Sequence, residues 1–304
     1  MDYSAIIKEI GRGKEGARDI SLEQARVLFG AMLDGQIPPL QLGAVLIAFR
    51  VKGESRDELR GFMLALEPRT AAIRPPHARC APVVIPTYNG ARNAPNLVPL
   101  LALGLRARGI PVLVHGVTRD PRRVATADVL AALGISACAD AAEAERRLSD
   151  EGLAFVTVGA LCPGLDRLLE IRWQLGVRNT AHTACKMVQP IAGGALQLLS
   201  VTHPDYLRGM HEYYTAFPAN VLLMRGTEGE AVASTRRPQA LEWLHGGQCE
   251  TVVAAVEGAV ILPEFPAAID AATTAAWIRS ALASGQVPDP ITKQIDAIQR
   301  IVGG

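Results

Sequence analysis

Nine arginines stand between residues 69 and 123: Arg69, Arg74, Arg79, Arg92, Arg106, Arg108, Arg119, Arg122 and Arg123. They face a single acid, Asp120. The stretch carries an excess of +8 in 55 residues, whereas the whole chain carries only +1. Everything outside it sums to −7, so a near-neutral total hides a polarised molecule. A guanidinium is planar, permanently charged and shaped for two-pronged contact with phosphate oxygens, so a concentrated field of them attracts phosphate. Any one of these arginines also has an ordinary alternative, as a scattered surface charge or a partner for a helix end. The depletion of acids over the whole tract is what ordinary surface charge does not explain.

Other chemistry-bearing residues form weaker patterns. Gly11-Arg12-Gly13-Lys14-Glu15-Gly16 matches G-x-G-x-x-G, but it follows a helical segment and not a strand, so the setting of a dinucleotide-binding turn is missing. It reads as a basic loop between helices. His182 and Cys185 stand three apart, on one face of a helix; with no third group in the pattern, a packed pair explains them better than a triad or metal site. His203-Pro204 is placed to open a helix, and His211-Glu212 lacks the second histidine of a zinc-protease motif. The cysteines (Cys80, Cys138, Cys162, Cys185 and Cys249) are odd in number, widely spaced and without a CxxC pair, which argues against a disulfide framework or structural zinc.

Positioning these groups requires a scaffold, and the patterning describes one. A chain of 304 residues forms one large domain or two. Its 49% hydrophobic and 20% charged composition reads as soluble and globular. The start has no basic, apolar leader pattern and no apolar run is long enough for a membrane span, so a cytoplasmic protein is expected. The first 70 residues read as helices. Tyr3 to Ile10 is amphipathic. Ser21 with Gln24, and Ser55 with Glu58, form capping-box patterns. Ala25, Leu28, Phe29, Met32 and Leu33 make one apolar stripe; Leu59, Phe62, Met63 and Leu66 make another. Between them, after the break at Asp34 to Pro38, a very apolar helix runs from Leu40 to Val51. Its pattern predicts burial on most sides, inside the domain or against a second subunit. After Pro75-Pro76 the grammar changes. Val83 to Ile85, Val112 to Val114, Phe155 to Val158 and Val221 to Met224 are short β-rich runs alternating with helical stretches, the signature of a mostly parallel sheet with crossover helices. Asp166 to Leu175 adds a helix, Thr251 to Leu262 suits antiparallel strands, and Ile291 to Ile301 forms the last helix.

The run Asp34-Gly35-Gln36-Ile37-Pro38-Pro39-Leu40-Gln41-Leu42-Gly43, continuing to Gly53-Glu54, resembles the N-terminal helical domain of the anthranilate phosphoribosyltransferases. The resemblance continues through His115-Gly116, Ala127 to Leu130, Arg172, Leu175 to Arg178, Pro190 and His203-Pro204, and so covers almost the whole chain. It implies an α/β fold of the nucleoside phosphorylase/phosphoribosyltransferase type. A small helical domain, 1–70, would be joined by helices from about 164–192 and stand beside a larger α/β glycosyltransferase-like domain, 74–304, with a mostly parallel sheet. It also implies a homodimer built on the N-terminal helices, with Leu40, Val45, Leu46 and Phe49 supplying the apolar surface.

The chemistry of that family transfers poorly. Its glycine-rich loop wraps a diphosphate with backbone N–H groups; the matching stretch here is Pro86-Thr87-Tyr88-Asn89-Gly90, where proline lacks an N–H and tyrosine adds bulk. The family's lysine before His115-Gly116 becomes Val114. Its magnesium-binding Asp-Glu pair falls near Glu230-Ala231, leaving Glu230 with Glu228 as weak metal candidates. From the aromatic-acid pocket Arg172 survives, and other pocket positions become His182 and Cys185-Lys186. Val84 to Arg92 and Gly176 to Thr183 instead resemble the nucleic-acid-binding, YbiB-type branch of the family.

That branch implies binding of DNA or RNA with little sequence preference, in a basic groove where the enzymes hold their substrates, with no catalytic residue and no cofactor. Arg92, Arg119, Arg122 and Arg123 are the first candidates for phosphate contact, followed by Arg106, Arg108, Arg178 and Lys186, with Asn89 nearby. Tyr88 either stacks on a base or is a buried structural tyrosine. His115, Gly116, Arg172 and His182 would be remnants of the substrate pocket. Two rivals remain: a glycosyl or phosphoribosyl transferase with another acceptor, using magnesium on Glu228 and Glu230, and a small-nucleotide sensor.

Overall fold

Local rules set most element boundaries. The computed structural model describes residues 1–13, 15–258 and 264–303. In chain order the elements are α1 (Tyr3–Ile10), α2 (Leu22–Leu33), α3 (Pro39–Lys52), α4 (Arg56–Leu66), β1 (Val83–Thr87), α5 (Val98–Ala107), β2 (Val112–Gly116), α6 (Thr126–Ala132), α7 (Ala141–Glu151), β3 (Leu153–Thr157), α8 (Val158–Leu161), α9 (Pro163–Glu170), α10 (Arg172–Leu175), α11 (Ala181–Met187), β4 (Leu196–Ser200), α12 (Pro204–Ala216), β5 (Val221–Met224), β6 (Leu241–His245), β7 (Gln248–Val253), α13 (Ala271–Ser284) and α14 (Asp289–Gly303). Ser21 and Ser55 each accept the backbone N–H three residues on, while Gln24 and Glu58 reach back to the cap, so both capping boxes form. His203 caps α12. The chain divides into a helical unit, Met1–Ala71 with Val158–Val188, and an α/β unit, Ala72–Thr157 with Gln189–Gly304. The second helical segment thus begins directly after β3, not near residue 164.

In the helical unit, Phe29 stacks on Phe62 at 4.5 Å and Phe49 meets Phe62 edge-on at 5.3 Å. Lys52 and Glu58 form a buried ion pair at 2.7 Å, and Glu58 also accepts the Ile20 N–H, which satisfies a carboxylate with no solvent exposure. Removing either partner would strand a buried charge. Within the chain itself α3 is buried on one side only. Val45, Leu46 and Phe49 are fully buried in the unit's own core, whereas Leu40 is 88% exposed and Ala44, Ile47 and Val51 are exposed with it. Of the four residues expected to supply a dimer surface, only Leu40 is on the outside. The exposed residues recur at spacings of four, three and four, which places them in one seam along the helix.

The α/β unit holds a seven-stranded sheet in the order β3-β2-β1-β4-β5-β6-β7. The first five are parallel and the last two antiparallel. β1, β2, β4 and β5 are buried along their whole length, as strands covered on both faces must be. Alternate residues Val83, Ile85, Val112, Val114, Leu196 and Leu198 join α5, α6, α13 and α14 in one apolar core. Two strands, β4 and β6, lie outside the runs expected from sequence. Gln248–Val253 realises part of the antiparallel stretch expected over Thr251 to Leu262; Ala259 to Leu262 lie outside the described residues, as does Lys14 of the glycine-rich loop. No helix among the described residues is long and apolar enough to cross a membrane.

Candidate functional site

The carboxyl ends of β2, β1, β4 and β5 lie side by side, so the loops that follow them share one edge of the sheet. In open α/β sheets that edge is where ligands bind. The loop after β1 is held there by two carboxylates far along the chain. Glu230 Oε1 accepts the backbone N–H of Asn89 at 2.8 Å and of Gly90 at 2.5 Å. The Glu228 carboxylate accepts the N–H groups of Arg92 at 3.2 Å and Asn93 at 2.9 Å, and the Asn93 side-chain amide at 3.3 Å. Arg123 lies 3.5 Å from the same carboxylate and donates to Gly90 O at 3.1 Å. Four backbone donors that would form an anion-binding nest are therefore occupied by the protein's own carboxylates.

Backbone geometry supports this latch. Glu228 adopts φ 53°, the single non-glycine residue with positive φ among those described. That conformation costs roughly 1–2 kcal/mol for a residue with a Cβ and aims its carboxylate at the loop amides. Gly229, at φ +87°, lies so close to the loop that a Cβ would come within 1.9 Å of the Asn89 amide nitrogen.

Several candidates change role once placed. Tyr88 is 3% exposed and its hydroxyl meets His115 Nδ1 at 2.8 Å, so it is the structural tyrosine and not a base-stacking platform. Asn89 is equally buried, its side chain donating to Glu228 O. His115 is fully buried, and Gly116 packs its backbone against Thr87. Arg123 is half-buried in its pairing with Glu228, whereas Arg92, Arg119 and Arg122 are exposed around the same loops.

The arginine tract is not one surface. Arg69 belongs to the helical unit, where it grips Asp34 through two nitrogens and holds that carboxyl below its usual range. Arg74 pairs with Glu145. Helix α5 then carries the chain about 15 Å back from the carboxyl edge. Arg106 and Arg108 consequently lie at the amino edge of the sheet. Arg108 pairs there with Asp296 at 3.1 Å and lines a cleft with Arg79, Pro111 and Gly152. A βα crossover reverses the chain direction, so successive charges alternate between the two edges. Arg106 and Arg108 cannot share a face with Arg92, Arg119 and Arg122.

The remaining candidates sit in the helical unit. Arg172 stacks over Trp173 at 4.1 Å. His182, on α11, is pushed down to about 3 by burial first, then by the charges of Arg178, Arg172 and Lys186. It is a neutral imidazole ringed by cations. Cys185, buried on the same helix, points its thiol at His182 O.

An N-terminal helical unit together with a mostly parallel α/β unit, with a loop cluster at the carboxyl edge of the sheet, has relatives. Residues 4–67 match the helical bundle domain, and residues 90–269 the a/b domain, of a glycosyl transferase family. The chain belongs to that glycosyl transferase family. It is 42% identical over 299 residues to the uncharacterized protein YbiB of Escherichia coli (strain K12), covering 97% of this chain and 92% of that protein. It is 30% identical over 239 residues to an anthranilate phosphoribosyltransferase of Methylocella silvestris, 78% of this chain and 67% of that one. Among solved structures, the anthranilate phosphoribosyltransferase of Thermus thermophilus superimposes with a TM-score of 0.73 at 20% identity, over 100% of this chain and 95% of that chain. The Saccharomyces cerevisiae enzyme in complex with PRPP and Mg gives 0.70 at 13% identity, over 96% and 85%. These likenesses fix the fold.

A relative is solved with PRPP and Mg, and the acids at this loop are Glu228 and Glu230. The ion requires near-octahedral oxygen ligands. Both oxygens of Glu228 already accept N–H groups, as does Oε1 of Glu230, which leaves one carboxylate oxygen, Glu230 Oε2, without a hydrogen-bond partner. Glu230 Oε2 is the oxygen these acids would offer such an ion, whose remaining positions would fall to water or a bound phosphate.

Proposed function

We propose that this protein binds DNA or RNA with little sequence preference, through exposed arginines at the carboxyl edge of its sheet, on a scaffold that no longer transfers a phosphoribosyl group. The observation that carries the reading is the occupied loop. Asn89, Gly90, Arg92 and Asn93 donate their backbone N–H groups to Glu230 and Glu228, so a diphosphate would have to evict two carboxylates. Arg92, Arg119 and Arg122 remain exposed around that loop. Polymer phosphate needs no deep cradle; it needs positive charge and counterion release.

A homodimer belongs to the same proposal. The α3 seam of Leu40, Ala44, Ile47 and Val51 follows the four-three spacing with which two helices pack, and the same seam on a second copy is its natural complement. Two copies would offer two basic rims and bind long strands with avidity. A cytoplasmic location completes the reading.

The experiment is a fluorescence-anisotropy titration with single-stranded and duplex oligonucleotides of two lengths at stepped salt, paired with calorimetric titration of phosphoribosyl pyrophosphate with and without magnesium. Salt-sensitive binding of every sequence, tighter for longer strands, with no heat from phosphoribosyl pyrophosphate, is the expected result. Binding of phosphoribosyl pyrophosphate that depends on magnesium would support the second reading, a phosphoribosyl transferase with another acceptor. Family membership and the partnerless Glu230 Oε2 favour that alternative.

A further inference from the structure

Three residues outside the loop cluster bring different ligand chemistry to one point. His211 comes from α12, Glu242 from β6 and Cys249 from β7. The imidazole nitrogen, carboxylate oxygen and thiol sulfur all lie within 4.8 Å of one another. His211 Nε2 and Glu242 Oε2 are 3.0 Å apart.

The fold explains the meeting. β6 and β7 form an antiparallel hairpin through Gly246-Gly247, with Leu244 opposite Cys249 and Glu242 opposite Thr251. Alternation along the strands puts Glu242, Leu244 and Cys249 on one face, as diagonal neighbours. Trp243 and His245 take the other face, where they stack at 3.7 Å, and Trp243 packs against the core there. Helix α12 covers the first face and lowers His211 onto it. His211 stands 31 positions before Glu242, and Glu242 seven before Cys249, so no short spacing motif announces them.

We propose that His211, Glu242 and Cys249 form a site for a zinc-class divalent ion, with its fourth position open to solvent. The donor set selects the ion. One nitrogen, one carboxylate oxygen and one sulfur suit zinc, whereas magnesium and calcium take all-oxygen sets. The dimensions agree. Ion–ligand bonds of about 2.0–2.3 Å place tetrahedral donors roughly 3.3–3.8 Å apart. The His211–Glu242 pair need open by only a few tenths of an ångström, and the Cys249 sulfur, within 4.8 Å of both, need close by at most about 1 Å. Two ligands stand on a hairpin and the third on a helix of 13 residues, so little ordering is required on binding. Cys249 is exposed, which gives the ion an entry path and leaves room for a water molecule. The bound ion would pin the edge hairpin to α12, and its binding energy would add to the stability of the α/β unit.

Cobalt reports on the site directly. Titrating tag-free full-length protein with Co²⁺ should give one equivalent of tetrahedral visible bands together with a thiolate-to-cobalt charge-transfer band, all lost on adding zinc. Cys249→Ser should abolish the charge-transfer band and weaken Co²⁺ binding by more than about a hundredfold, beyond the roughly 10–100-fold that follows loss of a mere supporting contact. His211→Gln should weaken it comparably, while Cys80→Ser should leave the spectrum unchanged. Zinc should raise the melting temperature of the wild type and not of Cys249→Ser. Absence of the charge-transfer band in folded wild-type protein, or its persistence in Cys249→Ser, would overturn the proposal.

Discussion

Replacing Glu230 with alanine tests whether the loop after β1 is built around an internal anion. Oε1 accepts two buried N–H groups, those of Asn89 and Gly90. Orphaning a buried donor costs about 1–3 kcal/mol, so two cost roughly 2–6. Against this, alanine relieves the desolvation of Oε2, a buried oxygen with no hydrogen-bond partner, worth about 1–3 kcal/mol in the other direction. The net expectation is a loss of roughly 1–3 kcal/mol. Glu230→Gln separates the two contributions. Its carbonyl oxygen can still accept both N–H groups, though neutral acceptors bind about half as strongly as charged ones. It should therefore lose less than alanine. Urea unfolding at neutral pH, followed by a probe in the α/β unit such as Trp243, measures both variants. If Glu230→Ala matches wild type within about 0.5 kcal/mol, or Glu230→Gln is the worse of the two, the carboxylate does not hold the loop.

Three other perturbations follow from the same geometry. Alanine at Arg92, Arg119 and Arg122 together should weaken binding of all single-stranded oligonucleotides alike and flatten the slope of log affinity against log salt by about 2, at roughly 0.7 per phosphate contact. The same change at Arg106 and Arg108, on the opposite edge, should leave the slope within error. Leu40→Glu with Ile47→Glu should halve the mass seen by sedimentation while circular dichroism is unchanged, because both side chains are exposed in the isolated chain; a persisting dimer would place the interface elsewhere. His182 gives a pH signature. Its pKa falls from 6.5 to about 3 on folding, so the unfolded chain takes the proton first. The contribution is fully present above about pH 6.5 and is lost as pH falls toward 3, at up to about 1.4 kcal/mol per pH unit. His182→Gln should flatten that part of the stability profile; an unchanged slope between about pH 6 and 4 would show that another group sets it.

The local sequence determined the first four helices nearly to their caps, because apolar stripes, serine caps and glycine or proline breaks act over three or four residues. It also determined the parallel α/β class, since β1, β2 and β3 announce themselves as β-branched or aromatic runs, and β5 as a short wholly apolar run, between helices. β4 did not. Leu196-Gln197-Leu198-Leu199-Ser200 is leucine-rich and equally readable as helix, and only its neighbours β1 and β5 make it a central strand. The resemblance pointed to Glu228 and Glu230 as remnants of a metal site. Tertiary structure gave them another role, through hydrogen bonds to residues 135 to 141 positions away. Contacts of that separation leave no periodic trace in a chain. The arginine tract shows the same limit: charge was legible by counting, but its distribution was not. Each βα crossover returns the chain to the opposite edge of the sheet, so residues sixteen apart, such as Arg92 and Arg108, end on different edges. Composition fixes how much positive charge the protein carries, and topology decides which part of it one ligand can reach.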